Sequence, residues 1–123
     1  MSWKFEDIVA WQRARTLVFE IYAVSKVGSF ASDFKLRDQI RSAAVSSMCN
    51  IAEGAESGST REFIRFLNIA KASAGEVRSD LYVALDQNYI TEGQFKTLCD
   101  LALEVTRLIG GLRSSLLRKE NPP

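Results

Sequence analysis

The sequence lacks histidine, and its prolines, Pro122 and Pro123, stand at the extreme C-terminus. Without an imidazole, the chain excludes His-based acid–base catalysis, Ser-His-Asp and Cys-His nucleophile systems, and imidazole metal sites. Because no interior proline removes a backbone donor, long uninterrupted helices can form. Charge of one sign is also missing, since 16 Lys and Arg residues face 15 Asp and Glu residues. The composition therefore gives no bulk attraction to nucleic acid.

Long apolar runs are absent as well. The longest stretch free of charge, from Ser42 to Ala52, is 11 residues and rich in Ser and Ala, too short and too polar to cross a bilayer. The N-terminus turns acidic at Glu6 and Asp7 and has no apolar core of a secretory signal. Cys49 and Cys99 form no CxxC motif, which favours reduced thiols packed in a core or an interface. We therefore expect a cytoplasmic protein with no membrane role.

What the sequence does contain is helical periodicity. A chain of 123 residues with 46% apolar and 25% charged residues fits one soluble domain spanning residues 1–123. Apolar residues alternate at steps of three and four, as on one face of a helix. The two clearest series are Phe63, Leu67, Ala70, Ala74, Val77, Leu81, Ala84 and Phe95, Leu98, Ala102, Val105, Ile109, Leu112, Leu116. Weaker series lie upstream, so the sequence predicts an all-α fold with four helices.

Capping residues and glycines set the predicted boundaries at 7–26, 33–56, 60–88 and 92–118, with a tail at 119–123. Ser59 with Glu62, and Thr91 with Gln94, have the spacing of capping boxes. Asp7 is the predicted cap of the first helix, and Ser32 or Asp33 that of the second. The short connections predict antiparallel neighbours, hence an up-down-up-down four-helix bundle.

Apolar residues outside the main stripes predict a homo-oligomer. On the last helix these are Leu101, Leu103, Leu108 and Leu117, and on the first they are Val9, Leu17, Phe19 and Tyr22. A helix that is apolar on more than one face either lies in a larger core or contacts another subunit. In a four-helix bundle every helix has a solvent side, so we expect subunit contacts.

Carboxylates and glycines give little evidence of chemistry. Di-metal sites in four-helix bundles need Glu-x-x-His elements, which a chain without histidine cannot supply. The Gly54–Gly58 segment lacks the lysine of a phosphate-binding loop and follows no predicted strand. An enzyme would need Glu53, Glu62 or Glu76 to converge in one pocket with raised pKa values. We expect no catalytic residues, no metal and no cofactor.

Basic residues are the remaining functional lead. Arg37 and Arg41 stand one helical turn apart, as do Arg61 and Arg65, and such like-charged pairs need partners. Asp38 and Glu62 are near enough in sequence to serve as those partners. A phosphate backbone is the alternative partner, above all if an oligomer multiplies these charges. The candidate anion or nucleic-acid contacts are Arg37, Arg61, Arg65, Arg107, Arg113, Arg118 and Lys119.

Residues 39–76 resemble a known family. The pieces QIRSAA, NIAEG, EFIRFL and SAGE occur in that order, and Phe5–Ile8 with Trp11-Gln12 match the start of the same family. The chain is similar to the four-helix-bundle proteins encoded in intervening sequences of bacterial 23S ribosomal RNA genes. This resemblance implies a ring of five subunits. It also implies a relation to the accessory protein of diversity-generating retroelements, which works with a reverse transcriptase and nucleic acid.

The polar residues of the matched stretch suggest a structural role. If the second and third helices pair about the turn at residues 55–59, Asn50 falls opposite Ile64 and Ser46 falls near Asn68. Gln39 and Arg41 then fall near Ser73 and Glu76. Polar groups buried along such an interface would hydrogen-bond across it and fix the helix register. The candidate interface residues are Gln39, Arg41, Asn50, Glu53, Glu62, Ser73 and Glu76.

Two functional hypotheses follow. The first is a non-enzymatic, oligomeric helical scaffold that binds a macromolecular partner, with RNA or a nucleoprotein preferred. The alternative is a protein–protein adaptor with no nucleic-acid role. Steeply salt-dependent RNA binding distinguishes the first from the second.

Overall fold

The structure, a computed structural model, describes residues 3–120 except the side chain of Glu120. A short 3-10 helix at Phe5–Asp7 precedes the α-helices, and no β-strand occurs within the described residues. The α-helices are α1 (Val9–Ser25), α2 (Gly28–Ser32), α3 (Phe34–Glu56), α4 (Thr60–Asp86) and α5 (Glu92–Glu120). The all-α prediction is confirmed.

The first helix begins differently from its prediction. Asp7 does not cap it, because Asp7 lies in the 3-10 helix and the N-cap position belongs to Ile8, which makes no side-chain cap bond. Instead, Gln12 reaches back along the chain and donates from Nε2 to the Glu6 carbonyl at 2.8 Å. The preceding 3-10 turn therefore replaces the expected side-chain cap.

Helix α2 was not predicted. It has five residues, too few to show a period, and its one large apolar residue is Phe30. Phe30 is fully buried and stacks on Tyr89, with 5.3 Å between ring centroids. The Tyr89 hydroxyl in turn donates to Asp33 Oδ2 at 2.9 Å. These contacts connect the loop between α4 and α5 to the start of α3.

The predicted caps of the longer helices form. Asp33 Oδ1 accepts from the Leu36 amide at 3.1 Å, and Ser59 Oγ accepts from the Glu62 amide at 3.3 Å. At α5 the capping box is reciprocal. Thr91 Oγ1 accepts from the Gln94 amide at 3.0 Å, and Gln94 Oε1 accepts from the Thr91 amide at 2.9 Å.

The C-terminal boundaries shift by a few residues. Helix α4 ends at Asp86, and Asn88 then adopts a left-handed conformation with φ of 60°, which ends the helix before its predicted limit. Helix α5 extends to Glu120, beyond the predicted end at residue 118. The rest of the predicted tail, residues 121–123, lies outside the described residues.

The four long helices form a helical bundle around one core. Helices α1 and α4 each pack on both α3 and α5, so α1 and α4 occupy opposite corners. The predicted apolar series of α4 is buried throughout, and Leu98, Ala102, Val105 and Ile109 of α5 are buried with it. Within residues 3–120, no helix combines the length and apolarity needed to cross a membrane.

The excess apolar surface predicted on α5 is largely absent from the surface of that helix. Leu101 is buried in the core, and Leu103, Leu108 and Leu117 are half-buried within the chain. Leu101 and Leu108 therefore lie in or against the core between α5 and its neighbours, whereas Leu103 and Leu117 keep part of their surface exposed. On α1, Leu17 is fully buried, whereas Val9, Phe19 and Tyr22 are exposed as expected of contact residues.

The register between α3 and α4 also differs from the prediction. Gln39 bonds to Asp80, and Ser46 bonds to Ser73. Residue numbers increase along α3 while those of the bonded partners decrease along α4, as they do between antiparallel helices. Ser46 was expected near Asn68, and its true partner lies five residues further on, about 7 Å along the helix.

Gly54 explains this register. A Cβ placed there would lie 2.8 Å from Phe63 Cδ1 and 3.0 Å from Phe66 Cβ. The missing side chain therefore leaves the space into which the first aromatic residues of α4 pack. Gly54 lies inside α3, within the predicted bounds of that helix.

Candidate functional site

Polar side chains line the interface between α3 and α4. Gln39 Nε2 donates to Asp80 Oδ1 at 2.6 Å, and the Ser46 and Ser73 hydroxyls are 2.8 Å apart. Asn50 Nδ2 donates to the Ser46 carbonyl at 2.9 Å and lies 3.0 Å from Ser46 Oγ. We call these residues (Gln39, Ser46, Asn50, Ser73 and Asp80) the polar seam. They can fix helix register because a shift of either helix would separate the bonded pairs.

The polar seam contains some of the predicted interface residues and excludes others. Gln39, Asn50 and Ser73 take part, but not with the expected partners, since Gln39 bonds to Asp80 and Asn50 bonds to Ser46 of its own helix. Glu53 is exposed near the end of α3 and Glu76 is exposed on α4, whereas Glu62 forms an ion pair with Arg65 at 2.6 Å. Glu62 and Glu76 are therefore separated by 14 residues of one continuous helix, about 21 Å, and do not converge in a pocket.

Arg41 contacts α1 and not Glu76. Its Nε donates to Ser25 Oγ at 2.8 Å, and its guanidinium lies 4.5 Å from the centroid of the Tyr22 ring. The predicted Arg41–Glu76 pair is wrong because Arg41 lies on the side of α3 that faces α1. Helical spacing makes this plain, since Arg41 follows Gln39 by two residues and so points to a different face.

Asp80 belongs to the polar seam, but the sequence interpretation missed it. It is 4% exposed, its Oδ1 is held by Gln39, and its Oδ2 has no hydrogen-bond partner. Burial raises the pKa of Asp80, the hydrogen bond from Gln39 lowers that pKa in part, and the charge of Glu76 raises it further. Asp80 lies between the core residues Val77 and Leu81, seven residues after Ser73. This spacing was the signal in the sequence that placed it at the interface.

Several candidate anion contacts gather at one end of the molecule. The first part of α4 lies beside the last part of α5. The contact between them is a hydrogen bond of 2.7 Å, which Arg113 Nε donates to Asn68 Oδ1. A small cleft there is lined by Ser59 and Thr60 of α4 and by Leu116 and Lys119 of α5. We call this group of basic residues (Arg61, Arg65, Arg113, Arg118 and Lys119) the basic end.

The side chains of the basic end differ in their local contacts. Arg61 and Arg118 are exposed to solvent. Arg65 pairs with Glu62 and also lies over the Phe66 ring at 4.5 Å. The Lys119 ammonium lies 5.7 Å from the centroid of the Trp3 ring. The guanidinium groups of Arg61 and Arg118 therefore reach the surface, whereas that of Arg65 is paired with Glu62.

The remaining two candidates lie elsewhere. Arg37 stands near the start of α3, where Nε pairs with Asp38 at 2.9 Å, Nη1 donates to the Ala31 carbonyl, and the guanidinium covers the exposed Phe34 ring. Arg107 lines an open groove between α1 and α5, beside the 2.6 Å Arg13–Glu104 ion pair. The structure thus brings together five of the seven predicted anion contacts and separates Arg37 and Arg107 from them.

Apolar side chains are exposed on two opposite corners of the bundle. On α1, Phe19 is 71% exposed and Tyr22 is 40% exposed, and we call this pair the α1 patch. On α4, Ile69 and Val83 are 39% and 44% exposed and lie about 21 Å apart along the helix, and we call these two residues together the α4 patch. Tyr22 also borders an open groove of about 510 Å³ shared with Arg41, Ser42 and Val45.

The acidic side chains and the cysteines are the remaining groups that could carry chemistry. Within residues 3–120 there is no group of three or more Cys, Asp or Glu side chains that could hold a metal ion. Both cysteines are free, with Cys49 exposed and Cys99 half-buried, where burial raises the pKa of its thiol. Cys49 therefore lies outside the core of the chain.

Comparison with known proteins gives one family. The model of the family described as 23S rRNA-intervening sequence protein matches residues 6–111. A crystal structure of a protein of unknown function from the S23 ribosomal protein family of Bacteroides thetaiotaomicron VPI-5482 superposes with a TM-score of 0.79. It shares 23% sequence identity over 86% of this chain and 96% of that chain, which is a likeness of fold. No curated protein matches the chain. The family match spans most of the sequence, and the chain therefore belongs to the 23S rRNA-intervening sequence proteins.

Proposed function

We propose that this protein is a non-enzymatic helical scaffold of the cytoplasm. It is an up-down-up-down four-helix bundle that assembles with copies of itself, in a ring of five as the family resemblance implies, and binds RNA or a nucleoprotein. The observation that carries the binding proposal is the basic end, where five Arg and Lys residues lie on the first turns of α4 and the last turns of α5. The Arg113–Asn68 bond joins these two segments.

Self-association is supported by the position of the exposed apolar residues. The α1 patch and the α4 patch lie on helices at opposite corners, so they are two different surfaces. A contact between the α1 patch of one copy and the α4 patch of the next is heterologous, and heterologous contacts generate rings when the rotation closes. Burying Phe19, which is 71% exposed, removes apolar area from water.

RNA binding is supported by the positive charge of the basic end and by its repetition in an assembly. A phosphate backbone releases counterions when Arg and Lys side chains replace them, so several arginines at one end of the bundle favour such a partner. A chain of net charge +1 has no strong overall field, and binding therefore depends on this local cluster. In a ring each copy contributes the same cluster, which raises the affinity for one long ligand.

The test measures binding of a fluorescently labelled ribosomal RNA fragment across a range of salt concentrations. The double variant Arg61→Glu with Arg113→Glu should weaken binding and reduce the slope of log K against log salt by about 2, one unit for each lost phosphate contact. Lys96→Glu, a charge reversal at the other end of α5, is the control and should leave binding unchanged. Absence of RNA binding by the wild type at low salt would contradict the proposal.

The adaptor hypothesis is the alternative, and the open groove beside Tyr22 favours it. The groove combines the Tyr22 ring and Val45 with four polar or charged side chains (Asp38, Arg41, Ser42 and Ser46), a mixture that suits a polypeptide partner. Under this hypothesis, co-purifying proteins remain bound after nuclease treatment and bind equally well to the Arg61→Glu, Arg113→Glu variant.

A further inference from the structure

The carboxyl group of Asp80 is the least compensated polar group among the described residues. Oδ1 accepts one hydrogen bond, from the neutral amide of Gln39, and Oδ2 is inaccessible to solvent without a partner. Buried polar atoms in native proteins are nearly always hydrogen-bonded, and an ionised carboxylate with a single neutral donor is strongly disfavoured. The site therefore fits a neutral carboxylic acid better than a carboxylate.

No cation offsets the charge that ionisation would create. Across the interface, the α3 residue bonded to Asp80 is the uncharged Gln39. Glu76, one turn earlier on α4, is the charged group that acts on Asp80, and its sign opposes ionisation. The nearest charged neighbours of Gln39 in sequence, Asp38 and Arg41, pair with Arg37 and contact Ser25, respectively. Among the described residues, no charged group of α1 or α5 is among the causes that shift the pKa of Asp80.

We propose that Asp80 is a proton-linked latch between α3 and α4, which holds the two helices together when its carboxyl is protonated and loosens them when it ionises. The Gln39–Asp80 bond is one of two hydrogen-bonded pairs across the polar seam. Gln39 is exposed, so water reaches the outer side of this pair, and hydration of an ionised Asp80 draws that water inward between α3 and α4. This device is independent of any RNA or protein partner.

The sign of the pH effect follows from the direction of the shift. Because burial raises the pKa of Asp80 in the folded chain above its ordinary value of 3.8, the protonated form contributes stability that is fully present below that value. This contribution is lost as the pH rises through the folded pKa. A neutral amide at position 80 cannot ionise and should lose nothing over the same range.

The test compares thermal unfolding of the wild type and Asp80→Asn at pH 4 to 8. Between these limits, we expect the Tm of the variant to rise by about 4 °C or more relative to that of the wild type. This is the shift that a small change in the free energy of unfolding produces in a domain of this size. Asp86→Asn, an exposed change at the end of the same helix, is the control and should run parallel to wild type. Parallel curves for Asp80→Asn would overturn the proposal.

Two further measurements use the folded wild-type chain and decide the matter if the variant does not fold. The carbon-13 shift of the Asp80 carboxyl should titrate above the ordinary value of 3.8. Hydrogen-exchange protection factors in α3 and α4 should fall over the same pH range, while those in α1 fall less. An Asp80 carboxyl that titrates near pH 4, or protection that changes equally in every helix, would contradict the latch.

Discussion

At the scale of single residues, a glycine determines how two helices meet. Gly54 lies within α3, where a glycine lowers helix stability by about 1 kcal/mol relative to alanine. Its lack of a side chain admits Phe63 and Phe66 of α4, which would otherwise lie too close to a Cβ. Close packing against α4 therefore offsets the lower helix propensity of glycine at this position.

This predicts opposite effects for the same substitution at two positions. Gly54→Ala should destabilise the protein by about 1–3 kcal/mol, because the new methyl group overpacks against Phe63 and Phe66. Gly75→Ala is the matched control, since its Cβ would meet nothing within 4 Å, and it should stabilise the protein by about 0.5–1 kcal/mol. Urea unfolding of both variants measures the two values. A stabilising Gly54→Ala would contradict this account of the register.

Arg41 is a second residue whose contacts reach beyond its own helix. It joins α3 to α1 through Ser25 and the Tyr22 ring. We expect Arg41→Ala to lower the free energy of unfolding by about 1–2 kcal/mol, since a charged hydrogen bond and a ring contact are both lost. Arg61→Ala, at an exposed site on α4, should change it little. Equal effects of the two substitutions in chemical denaturation would contradict the assignment.

At the scale of elements, the helix starts follow local chemistry. The Thr91–Gln94 box satisfies two amides at the start of α5, and both of its bonds join residues three apart. Such local contacts can be predicted from sequence because they need no knowledge of the rest of the fold.

The corresponding prediction is that Thr91→Ala destabilises the protein by about 1 kcal/mol, the usual effect of losing an N-cap side chain. Thr97→Ala, two turns into the same helix and exposed, removes the same atoms without removing a cap. It should leave the stability unchanged or raise it slightly, because alanine is the better helix former. Thermal unfolding of the pair is the measurement, and similar losses in both would count against a capping role.

The same distinction between local and distant contacts explains what the sequence could predict. The four long helices follow from apolar periodicity, and most caps follow from residues three positions apart. The register of α3 on α4 could not be predicted, because it depends on Gly54 meeting residues of another helix. Phe30 of α2 likewise has its ring partner, Tyr89, 59 residues away. The candidate sites followed the same rule: the sequence named Gln39 and Ser73 as interface residues, whereas their actual partners, Asp80 and Ser46, depend on the register.

At the scale of the whole molecule, the apolar surface is distributed differently from the sequence expectation. The excess on α5 is largely covered within the chain, and the exposed aromatic surface lies on α1, at Phe19 and Tyr22. The proposal of assembly therefore depends on the α1 patch and the α4 patch and no longer on α5.

We expect Phe19→Asp to reduce the mass of the assembly, because a charge at this position opposes its burial against a second copy. Val27→Asp is the control, since it makes a similar change at another exposed apolar residue outside both patches. Multi-angle light scattering after size-exclusion chromatography reports the mass of each. An unchanged mass for Phe19→Asp would remove the α1 patch from the interface.

The most direct test of the account is sedimentation equilibrium of the wild-type protein at micromolar concentration. The account predicts a defined mass that is a multiple of the 13.7 kDa chain, with five copies if the family architecture holds. A single species of 13.7 kDa over the whole concentration range would contradict it.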